Sequence, residues 1–306
     1  MLRQKGCSLV EIKLLMIIFC FSISLGLLAK TPYTYVAKEN KNDIRFSYEK
    51  QVLELALNKT KAEFGDFTMQ SSDVGINTGR LMQQMTQGVY ENYFFKMSIT
   101  DQILEDFYVI NFPIDRGVVG YRIAFTHQKN RYKLKGATEL KALKKKYIVQ
   151  GIGWLDADIL QANGLNVFAL TDNDRMFQMV SFNRVDYYFR GINEIKNDLQ
   201  SKSRIYPNVI LEPYIALHYP LPRFFVTAKN NIENAKRVEL GLKRAFEDGS
   251  FIKLWETIYL ENIQFLDLKK RHIIELENPF IKNIDPSYKK YNYKFTEYSS
   301  LSTADN

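Results

Sequence analysis

The sequence predicts a two-lobed α/β protein, each lobe a sheet with crossover helices, the lobes joined by two extended crossings. Three observations predict it. Strand-like and helix-like patterns alternate along most of the 306 residues, as parallel strands linked by crossover helices require. Two long stretches, 112–128 and 207–228, have no helical period, and the second holds Pro213, Pro220 and Pro222. The composition, 46% hydrophobic and 25% charged, is that of a folded chain long enough for two cores.

The first 29 residues read as an export signal. Arg3, Lys5 and Lys13 give a basic start, residues 14–29 are apolar, and Ala29 offers a small residue before a cut. The apolar run is short for a helix crossing a hydrocarbon core about 30 Å thick. Two rival readings are a prepilin-type site at Gly6 and Cys7, which Lys13 disfavours by interrupting the apolar run, and a later translation start. Cleavage after Ala29 removes Cys7 and Cys20, leaving a mature chain without a thiol, of modest positive charge, in the periplasm.

In the first lobe, residues 33–37 read as a strand followed by a polar loop carrying Glu39. Ser47 can cap a helix with Val52, Leu55 and Ala56 near helical spacing. Residues 66–71 alternate like a half-buried strand, Leu81, Met82, Met85 and Val89 mark a second helix, and Tyr93, Phe95 and Met97 alternate again. The second lobe is expected to open with a helix over 138–146. A strand over 147–150, a tight turn over 151–154 and a helix over 156–162 ended by Asn163 and Gly164 follow. Next come a strand at 166–170, a helix at 174–182, a strand at 185–190 and a helix at 193–200. Ile232, Ala235, Val238, Leu242 and Ala245 lie on one face of a helix ended by Asp248 and Gly249. These readings place one lobe at 30–121 with 226–282, the other at 122–225, and a loose polar tail at 283–306.

Candidate site residues fall in the second lobe except for Glu39 in the first. Gly151 and Gly153 link a strand to a helix N-terminus, where backbone amides and the helix dipole favour an anion and glycines allow close approach. The same turn also reads as a plain strand-to-helix connection with Asp156 as its cap. A dinucleotide fingerprint is excluded, because the third glycine of GxGxxG falls at Asp156. Arg190 follows an apolar strand at the end where open α/β sheets bind ligands, and suits a carboxylate or phosphate. Its spacing from Glu194 also allows an ion pair, but the ligand role is the one expected of an arginine at a strand end facing a cleft. Arg122 alternates with Tyr121, so only one of them faces the cleft. Trp154 and Tyr188 can stack on a ligand or fill the core, and Glu39 can meet a ligand amine.

Other chemistry finds little support. His127, His218 and His272 are widely separated, and neither a GxSxG elbow nor a GxxxxGK[ST] loop is present. No enzymatic activity is expected. Nucleic acid is not expected as a partner, because the basic runs 144–146 and 269–271 are short and lack interleaved aromatics.

Four segments in order carry a family resemblance: Phe112-Pro113-Ile114-Asp115-Arg116-Gly117-Val118-Val119-Gly120-Tyr121-Arg122, Gly151-Ile152-Gly153-Trp154-Leu155-Asp156, Arg184-Val185-Asp186-Tyr187-Tyr188-Phe189-Arg190-Gly191-Ile192-Asn193-Glu194-Ile195, and Leu242-Lys243-Arg244-Ala245-Phe246-Glu247-Asp248-Gly249-Ser250-Phe251. Together they resemble extracytoplasmic solute-binding proteins of family 3, relatives of the amino-acid-binding components of ABC transporters, over most of residues 30–260. The resemblance implies a two-lobed periplasmic-binding-protein type II fold with two crossover hinge strands. It also implies capture of a small polar solute, amino acid-like or an organic anion, by hinge closure. A monomer without cofactor is implied, working with a membrane permease or, in a signalling role without transport, a membrane receptor. One departure stands out. The family carries an arginine after a Ser/Ile-Thr stretch to clamp the ligand carboxylate, and Ser98-Ile99-Thr100-Asp101-Gln102-Ile103-Leu104 has none. Either Arg116 or Arg122 substitutes, or the ligand is not an ordinary α-amino acid.

Overall fold

The computed structural model describes residues 30–37, 44–73 and 78–295. The expected export signal and Glu39 lie outside the described residues. Alternating patterns in the sequence become twelve strands in two sheets among those residues. The first sheet holds Thr31–Tyr35 (β1), Phe67–Ser71 (β2), Tyr93–Ser98 (β3), Tyr108–Val109 (β4) and Arg223–Thr227 (β11), in the order β2-β1-β3-β11-β4. β1 is parallel to β2 and β3, and β11 is antiparallel to β3 and β4.

The second sheet holds Tyr121–His127 (β5), Tyr147–Gly151 (β6), Asn166–Leu170 (β7), Tyr187–Gly191 (β8), Val209–Leu211 (β9), Ile215–His218 (β10) and His272–Glu275 (β12). Its order is β12-β10-β5-β8-β6-β7, with β9 paired to β5. β6, β7 and β8 are parallel, while β5 runs against β8, β9 and β10.

The helices of the first lobe are Ile44–Lys59 (α1), Lys61–Phe64 (α2), Thr78–Thr86 (α3) and Asp101–Asp106 (α4). Those of the second are Leu155–Ala162 (α5), Asn173–Ser181 (α6) and Ile195–Lys202 (α7). Ile232–Glu247 (α8) returns to the first lobe, where its buried stripe of Ala235, Val238, Leu242 and Ala245 packs on Val52, Leu53, Ala56 and Leu57 of α1. Ser250–Leu266 (α9) follows without a place in the sequence reading; its buried face is Phe251, Trp255, Tyr259 and Ile263.

Residues alternate across β3 as a strand with both faces covered must. Phe94 enters a core that runs on through Phe112 and Ile123 into Tyr188 and Phe189 of the second lobe. Tyr93 and Phe95 enter a smaller core with Ile103, Phe224 and Tyr288. The two lobes therefore share one continuous apolar cluster at their junction.

Several expectations need correction. Ser47 lies within α1, not at its cap, and Val89 lies beyond the end of α3 and is exposed. Residues 138–146 contain only a 3-10 turn at Leu140–Ala142; of their side chains only Leu143 is fully buried, so there is no apolar stripe to anchor a helix. β12, inside the stretch assigned to the first lobe, pairs with β10 of the second sheet, and β11, whose start falls in the stretch assigned to the second, pairs with β3. Residues 283–295 are not loose. Pro286–Tyr291 forms a 3-10 turn whose Tyr288 meets Phe224 edge to face and whose Tyr291 packs on Phe112.

The two expected crossings are present, from β4 to β5 and from β10 to β11. The chain then crosses twice more, from α9 to β12 and back through residues 276–295. On the way back Leu276 N donates to His218 O, Asn278 Nδ2 to Pro220 O, and Asp101 N to Phe280 O. The returning segment ties both lobes and covers the hinge.

Candidate functional site

Arg122 faces Gly191 across the β5–β8 ladder, and Gly151 ends the parallel neighbour β6. All three therefore stand at one end of the second sheet, the end from which the chain crosses to the first lobe. The register brings two arginines and three carboxylates together there.

Arg122 is buried, with Nη2 donating to Asp156 Oδ1 at 2.8 Å and Nη1 lying 3.8 Å from Glu194 Oε2. Tyr219 O–H donates to the same oxygen of Asp156, and the Arg122 guanidinium sits 5.7 Å from the Tyr219 ring. Arg190 donates from Nε to Asp198 Oδ2 at 2.8 Å and from Nη2 to Glu194 Oε1 at 3.0 Å. Its guanidinium lies 5.3 Å from the Trp154 ring and 5.4 Å from the Tyr188 ring, within cation–π range. Glu194 thus bridges the two arginines and also accepts from Gly191 N. It is the most open member of the set, its side chain 22% exposed.

The electrostatics follow from this enclosure. Burial disfavours the charged form of both arginines, yet Asp156 holds Arg122 above its usual range, and Glu194 and Asp198 do so for Arg190. Burial pushes the Asp198 carboxyl up, with Arg190 opposing. Burial likewise raises the Tyr219 hydroxyl far above its usual range, so it stays a donor to Asp156.

Trp154 stands at the N-terminal cap of α5, with Gly153 before it at a left-handed φ of 75° that favours glycine. Its indole lies on the backbone of Gly151. The first turn of α5 carries Asp156, so the helix N-terminus holds a carboxylate of its own. Tyr188 is buried and donates from its hydroxyl to Asn173 Oδ1 at 2.6 Å, so its polar end is directed at α6.

The stretch where the clamp was expected runs from the end of β3 into α4 and carries no arginine. Thr100 caps α4 through Ile103 N, and Ile103 is buried. Asp101 is held by the returning segment, accepting from Lys282 N and Asn283 N. Arg116 is packed among rings, 4.8 Å from Trp255 and 5.6 Å from Tyr293, with Nε donating to Tyr291 O. It serves the returning segment. Arg122 alone of the two reaches the charged cluster.

A second polar group faces the junction from the first lobe. Lys96 of β3 pairs with Glu49 of α1 at 3.0 Å. Asp115 is fully buried, accepts from Gly117 N, and its Oδ2 has no hydrogen-bond partner among the described residues. Burial raises its pKa, opposed by the charges of Arg223, Lys96 and Arg122. Burial raises the Tyr259 hydroxyl of α9 far above its usual range, with the charge of Asp115 adding to it. α9 packs on α1 and α8 of the first lobe and α7 of the second, so it lines the seam between lobes. The sequence reading missed Asp198, Tyr219 and Tyr259. Asp198 falls four residues after Glu194, at helical spacing, which was the available signal; nothing local marks Tyr219 or Tyr259.

The histidines do not converge. His127 bonds Lys129 N, His218 pairs with Glu275 at 2.5 Å, and His272 meets Thr138 O. Among the described residues no helix is long and apolar enough to cross a membrane.

No family model matches the chain, and no curated protein matches it. Solved structures do. YckB from Bacillus subtilis is similar with a TM-score of 0.52 at 17% identity, covering 80% of this chain and 96% of that one. An ancestral amino acid-binding protein, a precursor of cyclohexadienyl dehydratase, aligns with a TM-score of 0.52 at 13% identity over 74% and 95%. The GluR0 ligand-binding core from Nostoc punctiforme, in complex with L-glutamate, aligns with a TM-score of 0.50 at 10% identity over 75% and 99%. At such identities the likeness is one of fold: the chain has the two-lobed type II architecture of these binding proteins.

Proposed function

We propose that this chain is an extracytoplasmic solute-binding protein that captures a small amino acid-like solute between its lobes by hinge closure. The observation that supports this reading is Glu194, which bridges Arg122 and Arg190 and is the most open member of their cluster. A zwitterion can exchange into such a bridge without changing its charge. The ligand carboxylate takes the place of Glu194 on the two guanidinium groups, and the displaced Glu194 takes the ligand ammonium. A simple organic anion offers only half of that exchange and would leave Glu194 without its cations, a costly state for a recessed carboxylate. Between the two solute classes expected from sequence, the cluster favours the amino acid. Trp154 and Gly151 would line the apolar side, and Asp115, Lys96 and Arg223 would face the ligand from the first lobe.

A second reading, ligand sensing for a membrane receptor without transport, draws support from residues 276–295. This segment and the passage from α9 to β12 add two crossings to those of the hinge, and a shorter closing stroke suits signalling as well as delivery to a permease.

Thermal unfolding of the purified protein across amino acids, organic acids and sugars tests the main reading. A ligand at a hundred times its Kd adds about 2.7 kcal/mol to the folded state. A shift with amino acids that vanishes in Glu194→Gln supports the exchange. A shift with simple carboxylates alone would overturn it.

A further inference from the structure

In sequence the basic runs of this chain look short and isolated, and the fold gathers them. β5 runs against β6 and β8, so the segment after β5 lies at the pole of the second lobe opposite the charged cluster. Between Gln128 and Tyr147 that segment carries eight basic residues and one acidic, Glu139. Side-chain and backbone bonds fix further elements to the same pole. Asn130 Nδ2 donates to Asn183 Oδ1, Gln128 N to Asn208 O, Lys133 pairs with Asp186, and His272 N donates to Tyr214 O. Arg184, Arg204, Lys269 and Lys270 therefore join the patch, while Arg271 turns inward to Glu212.

The same pole exposes apolar side chains. Tyr132 is 67% exposed, Phe182 60% and Ile205 61%, with Tyr147 and Phe168 about half exposed and 5.5 Å apart. Arg184 lies over the Phe182 ring, and Arg131 over Tyr132. Among the described residues Lys144, Lys145 and Lys146 have no carboxylate within ion-pair distance. Exposed aromatics and an isoleucine ringed by cations of one sign match one kind of surface. Anionic lipid headgroups attract the cations, while aromatic rings settle at the headgroup level and aliphatic tips reach the acyl boundary. A nucleic acid would use the cations and the rings but has no use for Ile205.

We infer that the pole formed by residues 128–147, 182–184 and 204–205 is a docking surface for an anionic phospholipid bilayer. Docked there, the protein lies with its interlobe cleft directed away from the membrane surface, open to solute. The surface is independent of which solute the cleft takes.

Sedimentation of the full chain with phosphatidylcholine vesicles, with and without an equal admixture of phosphatidylglycerol, tests this. The wild type should partition onto the anionic vesicles in preference, and lose that preference at about 1 M salt, where screening acts within about 3 Å. Arg3, Lys5, Lys13 and the apolar stretch 14–29 are common to the wild type and its variants, so the difference between those proteins isolates the pole. Lys144→Glu with Lys145→Glu and Lys146→Glu, all outside the core, should weaken anionic partitioning about a hundredfold, at roughly fivefold per lost cation. Phe182→Trp should give emission that shifts to the blue only with anionic vesicles. Equal partitioning onto both vesicles, or undiminished binding by the triple variant, overturns the inference. So does tight binding of a single-stranded oligonucleotide with none of the vesicles.

Discussion

The indole of Trp154 occupies the space where a side chain at Gly151 would begin: a Cβ there would stand 2.3 Å from its Cε2. Gly151 is thus required by contact, and the contact holds the ring 5.3 Å from the Arg190 guanidinium. Gly151→Ala should push the indole off Arg190 and destabilise the fold by about 1–3 kcal/mol, the usual range for overpacking. Urea unfolding measures the loss. A red shift of tryptophan emission would report the displaced ring, and an unchanged spectrum would contradict this placement.

Arg122 and Asp156 form a buried pair in which each partner makes the other tolerable. Asp156→Ala leaves a buried guanidinium with Glu194 3.8 Å away, and should cost about 3–5 kcal/mol. The double variant Arg122→Met, Asp156→Leu should recover most of that stability while abolishing solute binding. A double-mutant cycle by urea unfolding gives the coupling. Additive losses would show that the pair carries no interaction of its own.

Much of this arrangement was legible in the sequence. The strand ends expected at Gln150 and Arg190 fall one residue short of Gly151 and Gly191, and the Arg190–Glu194 pair follows from their spacing, which also left a ligand role open. Tyr219 lies 63 residues from Asp156 in sequence, and its role depends on how β10 is placed beside β5, which no local pattern states. The 138–146 stretch has helical composition but buries only Leu143 fully, so propensity gave way to the absence of tertiary packing. The returning segment read as a tail because its tyrosines and lysines look polar in sequence, while Tyr288 and Tyr291 bury their rings in existing aromatic clusters.

Asp115 gives the fold a pH dependence whose sign is fixed by its burial. Its carboxyl is raised above 3.8 in the folded state, so the folded chain binds that proton more tightly than the unfolded chain. Stability contributed at this site is then greatest at low pH and is lost as pH rises through the folded value. Asp115→Asn removes the dependence while still accepting from Gly117 N. Its stability relative to wild type should climb from about pH 4 upward and level off above the folded pKa. Urea unfolding of both proteins across that range checks it; a relative stability that falls with pH would mean that Arg223, Lys96 and Arg122 outweigh burial.

Gly241 sets two effects against each other. In mid-helix, alanine is favoured over glycine by about 1 kcal/mol. Here a Cβ would stand 2.0 Å from the carbonyl oxygen of Ala56, where α8 crosses α1. Backbone cannot yield as a flexible side chain does, so the clash should win. Gly241→Ala is expected to destabilise by about 1–3 kcal/mol, measured by urea unfolding. A gain in stability would show that the two helices can move apart freely.

Tyr291 anchors the returning segment to the first lobe and the first crossing, its ring 4.5 Å from Phe112 and 4.9 Å from Phe246 and its carbonyl accepting from Arg116 Nε, while Leu276 N ties the other end of the segment to His218 O of the second sheet. Tyr291→Ala removes a buried aromatic and should cost about 3–5 kcal/mol. The loss falls on the tie between lobes more than on either sheet. Unfolding that is a single transition in the wild type should therefore separate into two in the variant, with the denaturant slope of the main transition reduced because less surface is exposed at once. Near-ultraviolet circular dichroism and tryptophan emission followed together would resolve the two steps, since Trp255 lies beside Tyr293 and Trp154 in the second lobe. Coincident single transitions with an unchanged slope would show that the continuous apolar core alone holds the lobes together and that the segment is a passive cover.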